Sequence, residues 1–202
     1  MNLGPRPVRV ATRQPHGGGP ARAVATIALI AALLGLAGCS TVSQRITRVE
    51  HRSLDVPIGA HTDLSVVTFN GHVNVTAIGE GTADVSVTAF GRGLNKADAQ
   101  TAADAVTVSI DEQPGALIVS AQPRPGTPAG ATNGADVDVV LPPNSSLKLV
   151  SSNGRVEAIN VRGSVVVSTS NGEVVTRGGK DILVETTNGT ITMSGPAGSI
   201  RA

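Results

Sequence analysis

There is no tryptophan and no tyrosine in this chain, and only 2 phenylalanines, although 40% of its 202 residues are hydrophobic. Large rings are what usually fill a thick globular centre. A core made without them has to be thin, built from layers of Val, Ile, Leu and Ala. The same shortage removes the platforms on which nucleic-acid bases stack. Cysteine is equally scarce: Cys39 stands alone, so no intramolecular disulfide can form. Acidic residues are missing from everything before Cys39, where Arg6, Arg9, Arg13 and Arg22 carry the formal charge. The whole-chain charge of +1 therefore misleads. From Cys39 onward 12 basic residues face 15 acidic ones, a net of −3, which leaves no basic patch for a nucleic acid.

What is present begins with Ala23 to Ala37, AVATIALIAALLGLA, an uncharged run of 15 residues behind the four arginines. A membrane-spanning helix needs about 20 residues, so this run fits the apolar region of a secretory signal. It ends in Leu36-Ala37-Gly38-Cys39, which resembles the bacterial lipobox. Small residues before the cut suit the signal peptidase, and the Cys39 thiol accepts a diacylglycerol. Cleavage frees the amine for a further acyl chain such as palmitate. The competing reading is an ordinary signal peptide or signal anchor with a chance cysteine. The expected organisation is a lipoprotein signal over 1–38 and a lipidated Cys39 with a polar tether over 39–53. By analogy with lipoprotein sorting, Ser40 favours the outer membrane. The protein is expected to be exported and lipid-anchored to the cell membrane or outer membrane.

Four Asn-Gly pairs sit between alternating, strand-like runs: Asn70-Gly71, Asn153-Gly154, Asn171-Gly172 and Asn188-Gly189. The last three are 18 and 17 residues apart. Leu149, Val167 and Val184 lie four residues before each Asn, and Ser151, Thr169 and Thr186 two before. Val156, Val174 and Ile191 lie three after it. Residues two apart in a strand share a face, so each unit offers one apolar line before the turn and one after it. Asn and Gly suit tight turns. Two architectures follow. One is a β-solenoid of stacked two-strand repeats, in which equivalent residues recur at about 4.8 Å and the Asn side chains can form a ladder. The other is an antiparallel meander or sandwich, with each Asn-Gly turning a hairpin. Like-with-like matching of Val, Thr and Asn favours the solenoid. The fold class is all-β in either case.

The segment over 54–145 is less regular. Strands are expected near Leu64 to Phe69, Val73 to Ile78, Val85 to Ala89, Val106 to Ile110, Leu117 to Ala121 and Asp136 to Leu141. The spacing and the frequent Ala predict one helix over 95–106, with Asn95 as its cap and Asp98 in its first turn. Gln122 to Gly134, rich in Pro, Gly and Thr, reads as a surface loop. The repeats occupy 146–202. Ile200 stands where Val165 and Ile182 stand in earlier units, which suggests a truncated sequence that continues with further repeats, or an edge covered by a partner or a second copy.

The "DVPIGA" start, the Asn-Gly turn, the Ala-rich helix, the "LPP" segment and the "SSNGRV", "TSNGEV" and "TTNGTI" units together resemble a bacterial β-strand-repeat family of unknown function whose members carry the name "putative adhesin". The resemblance runs from about Arg52 to Ala202. It implies a surface-binding role and supplies no catalytic or ligand residues.

Little in the chain points to chemistry. His51, His61 and His72 match no compact metal-ligand spacing. Asp136 and Asp138 share a strand face and could touch a hard cation, but the denser acidic spacing of calcium loops is missing. No G-x-S-x-G or phosphate-loop pattern occurs. Glu157 and Glu173, with Arg155, could share one face, as carbohydrate-active solenoids require. The bland reading is scattered charge that keeps a strand edge soluble. The expected function is a non-enzymatic, membrane-anchored envelope lipoprotein acting as an adhesin or surface-binding scaffold, with no metal or cofactor. A surface polymer or a protein is the expected ligand, and self-association through the C-terminal edge a further possibility. The alternatives are a carbohydrate-active β-solenoid enzyme and a self-assembling structural protein.

Overall fold

Period-two alternation runs through nearly every stretch between turn residues, and the structure converts it into strands. A computed structural model describes residues 44–55, 62–78, 81–127, 132–195 and 198–202. In chain order these form β1 (Gln44–Asp55), β2 (Asp63–Val67), β3 (Val73–Ala77), β4 (Thr82–Gly93), α1 (Lys96–Asp104), β5 (Val106–Gln113), β6 (Ala116–Pro123) and β7 (Thr132–Leu141). The repeat region adds β8 (Ser146–Asn153), β9 (Val156–Val161), β10 (Val165–Asn171), β11 (Val174–Gly178), β12 (Ile182–Asn188), β13 (Ile191–Ser194) and β14 (Ile200–Arg201). Among the described residues the fold is all-β with one short helix. Its two mixed sheets have seven strands each, ordered β1-β4-β7-β3-β9-β11-β13 and β14-β12-β10-β8-β2-β6-β5.

The strands on either side of an Asn-Gly pair never pair with each other. Each turn passes the chain from one sheet to the other: β8 pairs in parallel with β10 and β2, while β9 pairs in parallel with β11 and β3. The meander alternative is therefore corrected for the repeats. The backbone gives the reason. A two-residue type I′ hairpin turn needs positive φ at both central residues. Here Gly71, Gly154 and Gly172 lie at 124°, 123° and 144°, whereas the asparagines before them keep negative φ.

Register follows the repeat. Val165 faces Leu147 and Ile182, Val167 faces Leu149 and Val184, and Val174 faces Val156 and Ile191. Leu149, Val156, Val167, Val174 and Val184 are fully buried between the sheets. The core is a slab of Val, Leu, Ile and Ala, with Phe69 only partly buried against it. The stacking order differs from the chain order. The β2–β3 unit lies between β6–β7 on one side and β8–β9 on the other.

Antiparallel pairs occur at one end of each sheet: β1 with β4 and β4 with β7 in one, β5 with β6 in the other. Helix α1 packs on this end. Asn95 caps it by accepting a hydrogen bond from the Asp98 amide at 2.9 Å. It ends at Asp104, short of the expected 106, because Val106 starts β5. Ala99 and Ala103 sit so close to Gly91 that a Cβ there would collide with the helix backbone.

Two further sequence expectations need correction. The tether expected over 39–53 is strand from Gln44 onward, paired along its length with β4. Its polar composition suits an edge strand, where charge blocks unwanted pairing, and so reads as linker. The loop expected over 122–134 gives up both its ends, since β6 reaches Pro123 and β7 begins at Thr132.

Candidate functional site

The turn asparagines form one hydrogen-bonded series along an edge of the stack. The Asn188 Nδ2 donates to Asn171 Oδ1 at 3.2 Å, Asn171 to Asn153 at 2.9 Å, and Asn153 to Asn70 at 2.8 Å. The amide of Asn70 then donates to the Asn133 carbonyl at 3.0 Å, and Asn133 donates to the Ala102 carbonyl of α1, also at 3.0 Å. Asn133-Gly134 is thus a fifth Asn-Gly pair in the series. It escapes sequence reading because the Pro/Gly-rich stretch before it hides the strand. The glycines stack just as closely: a Cβ on Gly154 would meet the Gly71 carbonyl, and one on Gly172 the Gly154 carbonyl. Every side chain in this series is engaged by its neighbour, so the edge braces the stack.

The carboxylates considered for chemistry are engaged in polar ties, all of them between separate segments of the chain except Arg155–Glu157. Arg155 reaches both Glu157 at 3.3 Å and Glu173 at 3.4 Å. Asp136 accepts the His72 amide at 2.9 Å and pairs with Arg45 at 3.2 Å. Asp138 accepts from the Asn74 amide at 3.3 Å. Among the described residues no three His, Cys, Asp or Glu side chains gather as metal ligands. The side chains of His51 and His61 lie outside the described residues, as do Cys39 and the lipobox residues Leu36, Ala37 and Gly38. No helix among the described residues is long and apolar enough to cross a membrane.

Two concavities among the described residues bear on function. The smaller, about 270 Å³, lies where the asparagine series meets the antiparallel end. Arg45 stacks 4.6 Å from the Phe90 ring centre and Arg92 5.8 Å from it, with His72 and Asp136 beside them. Phe90 pairs across from Gly134 and packs against it, which fixes the ring and, through it, both guanidiniums. Asp136 neutralises one of the two.

The larger is a groove of about 830 Å³ on the opposite edge, where the chain turns from one unit to the next. It crosses four stacked units: Ala77, then Asn160 to Arg162, then Arg177 to Gly179, then Ser194 and Gly195. Its lining contains two arginines and no carboxylate. The ladder between β9 and β11 is broken here. Arg177 faces Ile159, but Gly178 faces Val161, so Asn160 is bulged out of register. Asn160 has φ of 62°, and it is the one non-glycine residue with positive φ among those described. The bulge also explains the unequal repeat: the single extra residue in the 18-residue spacing is Asn160. That arithmetic was the available signal in the sequence, and it does not say which residue is extra.

An all-β chain with a braced edge and a cationic groove is what these observations define. No family model matches the sequence, and no curated protein matches it. Among solved structures, a putative cell adhesion protein from Clostridium sporogenes ATCC 15579 aligns with 76% of this chain and 98% of its own, at 10% identity and a TM-score of 0.36. A putative adhesin from Parabacteroides distasonis ATCC 8503 aligns over 73% of this chain and 66% of its own, at 8% identity and a TM-score of 0.32. A putative lipid binding protein from the same organism covers 72% of this chain and 62% of its own, at 10% identity and a TM-score of 0.26.

Proposed function

We propose that this chain is an exported bacterial lipoprotein, anchored through Cys39, whose stacked two-strand units form a β-solenoid serving as a non-enzymatic binding scaffold of the adhesin kind. One observation carries the reading. Side chains that a catalyst would leave free to react are engaged by their neighbours: Arg155 with Glu157 in its own unit and with Glu173 in the next, Asp136 with Arg45, and Asp138 with Asn74. Backbone pairing in both sheets, plus the asparagine series, favours a stiff body over a mobile one. The solenoid reading draws on the parallel, like-with-like register of β8, β10 and β12 and of β9, β11 and β13. The anchor draws on the apolar run and the lipobox-like Leu36-Ala37-Gly38-Cys39.

The anchor is tested in cells by fractionation with radiolabelled palmitate. The native chain is expected in the membrane fraction and labelled. Cys39→Ala is expected to lose the label and leave that fraction. A Cys39→Ala chain that stayed labelled and membrane-bound would contradict the reading. The non-enzymatic part fails if purified chain cleaves a glycan or an ester and loses that activity on substitution of Glu157 or Glu173.

A further inference from the structure

We propose that the groove at the Asn160 bulge is a binding site for an acidic polysaccharide laid along the stacking direction. This deepens the scaffold reading and rests on it for the expectation that the groove meets polymers outside the cell. Three features converge on this edge, and the charge of the rest of the chain sets them in contrast.

The first is charge. Arg162 and Arg177 come from adjacent units and are exposed. Neither guanidinium has an ion pair or side-chain hydrogen bond among the described residues, and no carboxylate lines the groove. Arg45 and Arg155, by contrast, each meet an acid. Two like charges lining one groove without a counter-charge form a place for a carboxylate, and the guanidinium fork fits that group in a bidentate way.

The second is the strained insertion. A β-bulge re-aims a side chain, and a non-glycine residue at positive φ persists only where the surroundings hold it. The next unit turns without the extra residue, on two left-handed glycines, Gly178 at 86° and Gly179 at 108°, whereas here the left-handed position is filled by a residue with a side chain. What the insertion adds is an exposed amide beside Arg162, able to donate to and accept from hydroxyl groups.

The third is shape. The groove spans four units at a strand spacing of about 4.8 Å, or about 14 Å from first to last. That is room for several linked sugars in a row. The remaining surface is the Ser194 hydroxyl, the backbone of Gly178, Gly179 and Gly195, and the small apolar side chains of Ala77, Pro143 and Val161, without aromatic rings. A base-stacking ligand finds nothing to stack on.

The contrast is with the rest of the chain. The portion from Cys39 onward carries a net charge of −3, so a polyanion has no general attraction to it. Binding has to come from a local cationic pair, and should weaken when salt screens that pair.

The test is surface plasmon resonance with the purified full-length chain in detergent over immobilised polygalacturonate, dextran and polyglutamate. Binding is expected on polygalacturonate only, and it should fall sharply at about 1 M salt, where the screening length is about 3 Å. Arg162→Gln and Arg177→Gln should each weaken it about tenfold, as loss of a charge-assisted contact implies. Asn160→Gly keeps the bulge, since glycine tolerates φ of 62°, but removes the amide. It is expected to fold normally, by circular dichroism, and to bind less tightly. No binding to polygalacturonate, equal binding to polyglutamate, or binding unchanged in all three variants would overturn the proposal. Purified chain needs no anchor, so this outcome is read separately from the Cys39 fractionation.

Discussion

At the scale of single residues, the turn asparagine and the turn glycine do different work. Asn171 gives one side-chain hydrogen bond and receives one, both at an exposed edge. Its loss in Asn171→Ala should cost about 1 kcal/mol. Gly172 has φ of 144°, and a Cβ there would run into the Gly154 carbonyl. Gly172→Ala should therefore cost at least about 3 kcal/mol, combining backbone strain with a clash that only backbone movement relieves. Urea unfolding of the two variants checks the order, and equal losses would contradict the stacked-glycine edge. The pairs over 153–189 were legible in the sequence because identical flanks recur around them. Asn133 was not, because Pro123, Pro125 and Gly126 mark its approach as loop. Asn160 was not, because its neighbours Ile159 and Val161 read as ordinary strand and an insertion leaves only a one-residue difference in spacing.

Elements at the edges of the sheets are held by polar contacts that hydrophobic periodicity does not reveal. Strand β1 is such a case: its polar composition is what an edge strand needs, and it is also what a tether looks like. Strand β14 is another. Asp181, in the turn before β12, accepts hydrogen bonds from the Ser199 amide at 3.1 Å and the Ser199 hydroxyl at 2.8 Å. Those bonds, the backbone one first, hold the Asp181 carboxyl below the ordinary aspartate value, with Lys180 contributing in the same direction. A carboxylate whose folded value is depressed supports the fold above its unfolded value of about 3.9, and that support fades as pH falls through the folded value. The β14 attachment should accordingly loosen only in acid. Hydrogen exchange of the Ile182 amide, which donates to the Ser199 carbonyl, reports this directly. Protection that drops below about pH 4 in the native chain, and is already reduced at neutral pH in Asp181→Ala, is the expected result. Protection independent of pH and of Asp181 would contradict it.

For the whole molecule, the period of the repeat specifies which residues face inward but leaves the stacking order open. Nothing in the order β2–β3, β6–β7, β8–β9 announces that the first unit sits between the other two. That arrangement comes from long-range pairing, with the excursion through β4, α1 and β5 forming the antiparallel end. Without large rings, the slab can only be as thick as two facing rows of Val and Leu allow, and it grows by adding units along its axis. Everything proposed about the groove depends on that parallel stacking, and paired cysteines test it most directly. Val150 faces Ser168 in the parallel register, whereas a hairpin at Asn153-Gly154 would set Val150 opposite Glu157. In a Cys39→Ser background, Val150→Cys with Ser168→Cys should oxidise readily to a disulfide, since parallel neighbours about 4.8 Å apart lie within bridging range. Val150→Cys with Glu157→Cys should stay reduced, because the two positions belong to different sheets. A disulfide in the second pair and none in the first would contradict the stacked arrangement.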